Sequence, residues 1–94
     1  MSEEKARQEL YRANRAKSII EDELFLEAVE AVKDQLWRDF AQSKLDDDNL
    51  RRNARIGVDM LDRILSSLRK HIETGKMADK ALADIEKRKL FKRS

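Results

Sequence analysis

A heptad repeat in the second half of the chain constrains the fold most. Apolar or small residues, ending in a histidine, recur at spacings of four and three: Leu50, Ala54, Gly57, Leu61, Ile64, Leu68 and His71. Such a seam keeps one face of a helix turned toward a partner helix, as in a coiled coil. The 94 residues contain no proline and only two glycines, which favours long helices. The sequence therefore predicts an all-α protein.

A second apolar stripe precedes the seam. Within residues 24–40 it consists of Phe25, Val29, Val32, Leu36 and Phe40. Spacings of four, three, four and four describe one face of an amphipathic helix. Gly57 lies in the seam of the following helix and costs about 1 kcal/mol of helix propensity relative to alanine. We expect close approach of a neighbour, such as Trp37 or another bulky side chain, to explain this glycine.

The connection between the two helices, SKLDDDN, carries three consecutive carboxylates. Asp46, Asp47 and Asp48 directly precede the seam. Carboxylates at a helix start accept hydrogen bonds from free N–H groups and complement the helix dipole. A calcium loop would need a glycine and a downstream glutamate, which are missing here. We therefore predict capping, and the short connection predicts that the two helices are antiparallel neighbours.

Both ends of this pair continue into further segments. Upstream, a weaker helical stripe rich in small residues consists of Ala6, Leu10, Ala13, Lys17 and Ile20. Ser18 followed by Glu21 resembles a capping box, which favours a new helix at Ser18, although one continuous helix over residues 1–43 is the alternative.

Downstream of the seam, Gly75 is predicted to be a helix stop with a left-handed cap. A phosphate loop is the alternative for this glycine, but it lacks the preceding strand and the second glycine. Apolar residues after Gly75 predict a short third segment that folds back.

The predicted fold is an antiparallel helical hairpin, residues about 22–43 and 47–74, with a flanking N-terminal helix and a short C-terminal helix. Residues 1–86 form a single helical domain and residues 87–94 a basic tail. Because so small a chain buries little surface, we expect a homo-oligomer. The residues predicted to mediate self-association are Trp37, Gly57, Leu61, Ile64 and Leu68.

Charge is distributed unevenly along the chain. The net charge is +2 over residues 1–20, −7 over residues 21–48 and +7 over residues 49–94. The basic tail has three interpretations, all open at this stage. It is solvated, it binds nucleic acid phosphates, or it enters an acidic groove on a partner protein.

The residues needed for catalysis are scarce. The chain contains no cysteine and a single histidine, His71, which we interpret as a packing residue or one that meets the negative end of a helix dipole. We predict no enzymatic activity, no cofactor and no metal site. The N-terminus has no apolar run typical of a secretory signal, and no stretch approaches about 20 apolar residues. We therefore expect a soluble, intracellular protein without membrane contact.

Several blocks resemble a family of small helical proteins that tailed bacteriophages encode near their packaging and head genes. These blocks are RAKSII at residues 15–20, LFLEA at 24–28, Trp37, Arg51 with Arg52, and HIETGKMA at 71–78. The resemblance covers about residues 12–82. It implies a small-terminase-like accessory protein in the host cytoplasm that self-associates and binds viral DNA. Its further partners would be a packaging motor, a portal or a host protein.

Basic residues unexplained by packing are the predicted nucleic-acid contacts: Arg12, Arg15, Arg51, Arg52, Lys87, Arg88, Lys89, Lys92 and Arg93. Intrahelical ion pairs are the rival explanation for several of them. No helix-turn-helix is recognisable, so binding would be mainly electrostatic. The alternative function is a protein-binding module without DNA contact, either a scaffold-like assembly factor or an inhibitor of a host protein.

Overall fold

The computed structural model describes residues 1–44 and 47–93 of the chain. It contains three helices in these residues: α1 (Glu3–Glu21), α2 (Glu23–Gln42) and α3 (Asp48–Arg93). No strand occurs in the described part of the chain. The prediction of an all-α protein is therefore confirmed.

The boundary between α1 and α2 lies at Asp22. Its backbone is extended, and its Oδ1 accepts a hydrogen bond from the Phe25 N–H at 2.8 Å, as an N-cap carboxylate does. The predicted helix start at Ser18 is wrong. The Ser18 hydroxyl instead donates to the Asn14 carbonyl at 3.1 Å, a bond that a serine makes inside a continuing helix. Residues 1–43 thus form two helices, not one.

The start of α3 confirms capping for one of the three aspartates. Asp47 Oδ1 accepts a hydrogen bond from the Leu50 N–H at 3.2 Å, and Asp48 is the first helical residue. Asp46 lies outside the described residues. Arg51 donates to the Lys44 carbonyl at 2.7 Å and pairs with Asp48, so its guanidinium links the connection to the first turn of α3.

The predicted stop at Gly75 and the separate C-terminal helix are wrong, because α3 runs through Gly75 to Arg93 as one helix of 46 residues. No described glycine has a positive φ, so Gly75 is not a left-handed cap. A Cβ at Gly75 would instead overlap the Cβ of Ala13. The glycine therefore permits close approach of α1 and does not end α3. The basic segment over residues 87–93 continues the same helix.

The seam that predicted α3 does not end at His71 either. Gly75, Ala78, Leu82 and Ile85 extend the same spacing of four and three. Gly75 and Ala78 are buried, and Leu82 and Ile85 are half-buried. The continued heptad repeat could have predicted the full length of α3.

The chain divides into two compact units, and α3 contributes to both. Unit 1 comprises Met1–Ile19 and Ser67–Ser94. Its buried residues are small: Ala6, Ala13, Ala16, Gly75 and Ala78. Lys89 Nζ lies 3.1 Å from Glu3 Oε1, which joins the end of α3 to the start of α1.

Unit 2, Ile20–Ser66, is built on larger side chains. Val29 and Leu65 are buried together with Ala54. The close neighbour predicted for Gly57 is present, and it is the bulky side chain of Leu36, not Trp37. A Cβ on Gly57 would lie 2.9 Å from both δ carbons of Leu36.

A tertiary ion pair also joins the two helices of unit 2, because Lys33 Nζ lies 3.0 Å from Asp62 Oδ1. Trp37 is 54% exposed and so lies outside the core. Its ring packs edge-on against Phe40, with 5.8 Å between the ring centroids. Its predicted role in self-association stays a prediction.

Candidate nucleic-acid interface

The two units differ in sign of charge. Unit 1 contains fourteen basic and seven acidic side chains, a net charge of +7. Unit 2 contains seven basic and twelve acidic side chains, a net charge of −5. The small net charge of the whole chain therefore conceals one strongly basic unit, which is where a polyanion would be attracted.

A groove of about 250 Å³ lies within unit 1 between α1 and α3. Two predicted nucleic-acid contacts, Arg12 and Arg15, stand one turn apart on α1 and line it. The remaining lining residues are Ala16, Ile19, Leu68 and His71. The groove thus combines an apolar floor with two guanidinium groups and an imidazole.

Both arginines of the groove keep their charge available to a ligand. The Arg15 guanidinium lies 5.7 Å from the centroid of the Tyr11 ring, a cation–π contact one turn along α1. Among the described residues, no carboxylate lies within 4.0 Å of Arg12 or Arg15. The intrahelical ion pairs that would explain these residues without a ligand are not formed.

His71 lies in the middle of α3, because the helix does not stop at Gly75. The proposed contact with the negative end of a helix dipole is therefore wrong. Its half-buried side chain forms part of the groove wall near Leu68. Sequence analysis missed His71 as a groove residue. Its position in the seam, next to Lys70, could have indicated that it faces a neighbouring helix close to a basic residue.

The predicted contacts near the C-terminus lie on the last turns of α3. Lys87, Arg88 and Lys92 are exposed, whereas Lys89 pairs with Glu3. Hydrogen bonds from Arg7 and then Lys89 hold the pKa of Glu3 below its ordinary value. The side chain of Arg93 lies outside the described residues.

The remaining two predicted contacts belong to unit 2. Arg51 is only partly exposed and is bonded to Lys44 and Asp48, so its guanidinium has a structural role in the connection before α3. Arg52 and Arg55 line a cleft of about 330 Å³ with Ile56 and Asp59. Sequence analysis missed Arg55, although it follows Arg52 by one helical turn and so had to share its face.

Other known proteins provide no independent identification. No family model, curated protein or solved structure matches this chain. The resemblance to phage proteins therefore stays a prediction from the sequence, and the function has to be argued from the basic unit itself.

Two further properties of the described residues bear on the chemistry. No three His, Cys, Asp or Glu side chains group there so that they could hold a metal ion. None of the three helices is long and apolar enough, over those residues, to cross a bilayer. The features left to interpret are the basic groove and the exposed surfaces of the helices.

Proposed function

We propose that this chain is a non-enzymatic accessory protein that self-associates and binds double-stranded DNA mainly by electrostatic attraction. In line with the resemblance to small terminase subunits, its setting would be DNA packaging or virion assembly in a tailed bacteriophage. The observation that carries the proposal is the pair Arg12 and Arg15. These two cations line a groove of the basic unit without a carboxylate partner among the described residues.

The proposal treats α1 and the last part of α3 as antiparallel neighbours. Two contacts support this: Glu3 meets Lys89, and Ala13 lies against Gly75. Residue numbers that rise along one helix while they fall along the other indicate opposite directions. In unit 2, the contacts of Lys33 with Asp62 and of Leu36 with Gly57 follow the same order, which supports the predicted hairpin of α2 and the first part of α3.

Helical periodicity then groups the cations of unit 1 on one side. Arg12 and His71 mark that side, because both line the groove. At 100° per residue, the exposed cations on this side of the two helices are Lys5, Arg12, Arg15, Lys70, Arg88 and Lys92. We call these six residues the basic face. The opposite side is balanced by acids such as Glu3, Asp79 and Glu86.

The dimensions of the basic face suit a DNA backbone. From Lys70 to Lys92 the helix rises about 33 Å, close to the roughly 34 Å of one turn of B-DNA. Contacts from lysine and arginine to phosphates position a protein on DNA without selecting sequence. We therefore expect binding that depends weakly on sequence and strongly on salt.

The test is the affinity for a labelled duplex of about 20 base pairs, measured by fluorescence anisotropy over a salt series. With up to six phosphate contacts, the slope of log K against log salt should reach about −5. Replacing both groove arginines, Arg12→Gln with Arg15→Gln, should make the slope shallower by about 2.

The matched control removes two arginines from the other unit, through Arg52→Gln with Arg55→Gln. Its affinity should stay within about twofold of wild type if the basic face is the site. Equal weakening by both double variants would show attraction by net charge alone and would refute the site. Absence of binding by wild type at low salt would refute the DNA-binding function.

The nucleic-acid contacts predicted within residues 87–93 are tested better by substitution than by deletion. Deletion would shorten α3 and remove the contact between Lys89 and Glu3. Replacing Lys87, Arg88 and Lys92 by glutamine keeps the helix and that ion pair. A large loss of affinity is expected, and undiminished binding would exclude a role for these cations.

The second candidate is a protein-binding module without DNA contact. It is favoured by unit 2, whose net charge of −5 is combined with exposed apolar side chains such as Leu24 and Trp37. Charge complementarity can steer such a surface to a basic partner. Co-purification with a coat, portal or host protein after nuclease treatment, together with no affinity for DNA, would favour this candidate over the first.

A further inference from the structure

Two apolar stripes of unit 2 are left without a partner. On α2 the stripe consists of Leu24, Ala28 and Val32, and on α3 of Ile56, Met60 and Ile64. Each has a spacing of four, which places its members on one side of the helix. The exposure of the five larger side chains ranges from 47% to 73%. Exposed apolar stripes of this kind are typical of an interaction site.

The two stripes lie on the same side of the helix pair. The ion pair between Lys33 and Asp62 marks one side, because both side chains must lean the same way to meet at 3.0 Å. On α2, the inward-facing Val29 and Leu36 lie between Lys33 and the stripe in helical projection. On α3, the inward-facing Leu65 and Leu61 separate Asp62 from its stripe in the same way. Both stripes therefore face away from the ion pair, and we call their six residues the apolar face.

Charges along the outer edges of the apolar face differ between the two helices. In helical projection, Glu27 and Asp34 lie at the outer edge of α2, away from α3. Arg52 and Arg63 lie at the outer edge of α3, where Arg63 pairs with Asp59 at 3.1 Å. The face is thus bordered mainly by acids on the α2 edge, which also contains Arg38, and mainly by arginines on the α3 edge.

We propose that the apolar face packs against the same face of a second copy of this chain, which forms a four-helix bundle. A two-fold axis parallel to the helices lays α2 of each copy on α3 of the other. Glu27 and Asp34 then approach Arg63 of the second copy, and Arg38 approaches Asp59. An axis across the helices would lay α2 on α2 and bring Glu27 and Asp34 of the two copies together. Charge complementarity therefore selects the first arrangement.

This inference rests on the part of the proposed function that concerns self-association. It assigns self-association to residues that differ from those predicted from the sequence. Of the five residues predicted from the sequence, Ile64 alone belongs to the apolar face. Gly57 packs against Leu36 of its own chain, and Leu61 is half-buried. Leu68 lines the groove of unit 1, and Trp37 lies on the side of the Lys33–Asp62 ion pair.

The experiment measures molar mass by light scattering, with circular dichroism to verify helicity. Wild type is expected at twice the chain mass of 11.0 kDa or a multiple of it. Val32→Glu with Ile64→Glu places charge in the bundle core, so the dissociation constant should rise by at least about 100-fold. The matched control, Leu26→Glu, alters an exposed residue of α2 on the opposite side and should keep the wild-type mass. An unchanged mass of the double variant overturns the proposal.

Charge reversal tests the arrangement without altering the core. Glu27→Arg with Asp34→Arg should weaken association, and adding Arg63→Glu should restore it toward wild type, because both carboxylates approach Arg63. Failure of Arg63→Glu to restore association overturns the packing of α2 on α3. This test stays informative if the core variant proves to be unfolded.

The DNA measurement separates this inference from the proposed function. If Val32→Glu with Ile64→Glu dissociates the bundle while no form of the protein binds DNA, the apolar face is supported and the DNA-binding function fails. If wild type binds DNA through Arg12 and Arg15 but the double variant keeps its mass, the function stands and the apolar face is overturned. A wild-type protein that is monomeric at about 100 µM overturns self-association in both.

Discussion

Units 1 and 2 each contain one glycine of the α3 seam, and the two glycines face different neighbours. At Gly75 an added Cβ would overlap the Cβ of Ala13, an atom fixed to its backbone. At Gly57 the added Cβ would meet the δ carbons of Leu36 at 2.9 Å, at the far end of a side chain that can rotate. The same residue in the same repeat is therefore essential in one unit and replaceable in the other.

The difference extends from the glycines to the surfaces. Unit 1 packs alanines and glycine, so its helix backbones approach closely, and its larger apolar side chains, such as Tyr11, Met77 and Phe91, stay exposed. Unit 2 packs valine and leucine, which hold the backbones farther apart, and it leaves two stripes of large apolar side chains exposed. Close packing accompanies the basic unit, where we propose DNA binding. Incomplete burial accompanies the acidic unit, where we propose pairing with a second copy.

Among these variants, Gly75→Ala should lower the free energy of unfolding most. A small decrease would contradict the tighter packing of unit 1. Overpacking a tight contact costs about 1–3 kcal/mol. Overlap of the added Cβ with that of Ala13 places the cost at the upper end of this range. The higher helix propensity of alanine offsets about 1 kcal/mol of this cost. We therefore expect net destabilisation of about 2 kcal/mol, measured by urea denaturation at fixed protein concentration.

The control for Gly75→Ala is the double variant that also carries Ala13→Gly. Ala13→Gly removes the atom that the new Cβ would meet, so the double variant should be more stable than the sum of the two single effects predicts. Additive effects would mean that Ala13 is not the obstacle, and the close approach of the helices would have to be abandoned.

Asp22→Ala should have the next largest effect. The carboxylate caps α2 through the Phe25 N–H, and loss of such a cap costs about 1 kcal/mol. Trp37, the only tryptophan and a residue of unit 2, provides a fluorescence signal for the unit that contains α2. Ser18→Ala is the matched control and should change stability by less than about 0.5 kcal/mol, because Ser18 lies inside α1. The opposite ranking would return the start of α2 to Ser18.

Gly57→Ala should stabilise the protein slightly, in contrast to Gly75→Ala. The helix gains up to about 1 kcal/mol of propensity. Leu36 must shift by a few tenths of an ångström, which consumes part of the gain. A rise in the urea midpoint followed by Trp37 fluorescence is the measurement. Destabilisation comparable to that of Gly75→Ala would mean that the two units are packed equally tightly.

The sequence predicted helices far better than it predicted their ends. Amphipathic spacing located α2 within about a residue, because burial of Val29 and Leu36 requires that periodicity. Gly75 was misinterpreted because the same residue allows a cap or a close helix contact, and local sequence does not distinguish them. The neighbour that decides the matter, Ala13, is distant in sequence. Ser18 was misinterpreted for a related reason, since its hydroxyl bonds equally well within a helix.

The candidate site could be predicted only in part. Charge counts located the basic segments, and Arg12 with Arg15 had no packing role to explain them. The groove that they share with Leu68 and His71 requires α1 to lie beside a part of α3 that is more than 50 residues away, a long-range contact that local sequence does not specify. Once the stop at Gly75 had been assumed, no residue of the helix beyond it could be assigned to a common surface with α1.

Glu3→Gln should have the smallest effect on stability. The effect should appear only at acid pH and involve only unit 1. Hydrogen bonds from Arg7 and Lys89 lower the pKa of Glu3 from its ordinary value of 4.5. A lowered pKa in the folded state means that the carboxylate contributes stability above that ordinary value, and the contribution is lost as the pH falls through the folded pKa. We therefore expect the melting temperature of wild type to fall somewhat more than that of Glu3→Gln between pH 5 and lower pH. Because the pair is exposed, salt should reduce this difference.

The adjacent Glu4 provides the matched control for this last effect. It belongs to the same turn of α1, but among the described residues no cation lies within 4.0 Å of it. Glu4→Gln should therefore retain the wild-type dependence of the melting temperature on pH, whereas Lys89→Gln should reproduce part of the Glu3→Gln behaviour. If Lys89→Gln had no effect while Glu3→Gln did, Arg7 alone would account for the lowered pKa. The ion pair between Lys89 and Glu3 would then contribute nothing to holding α1, and the end of α3 would be held by the apolar seam that includes Leu82 and Ile85.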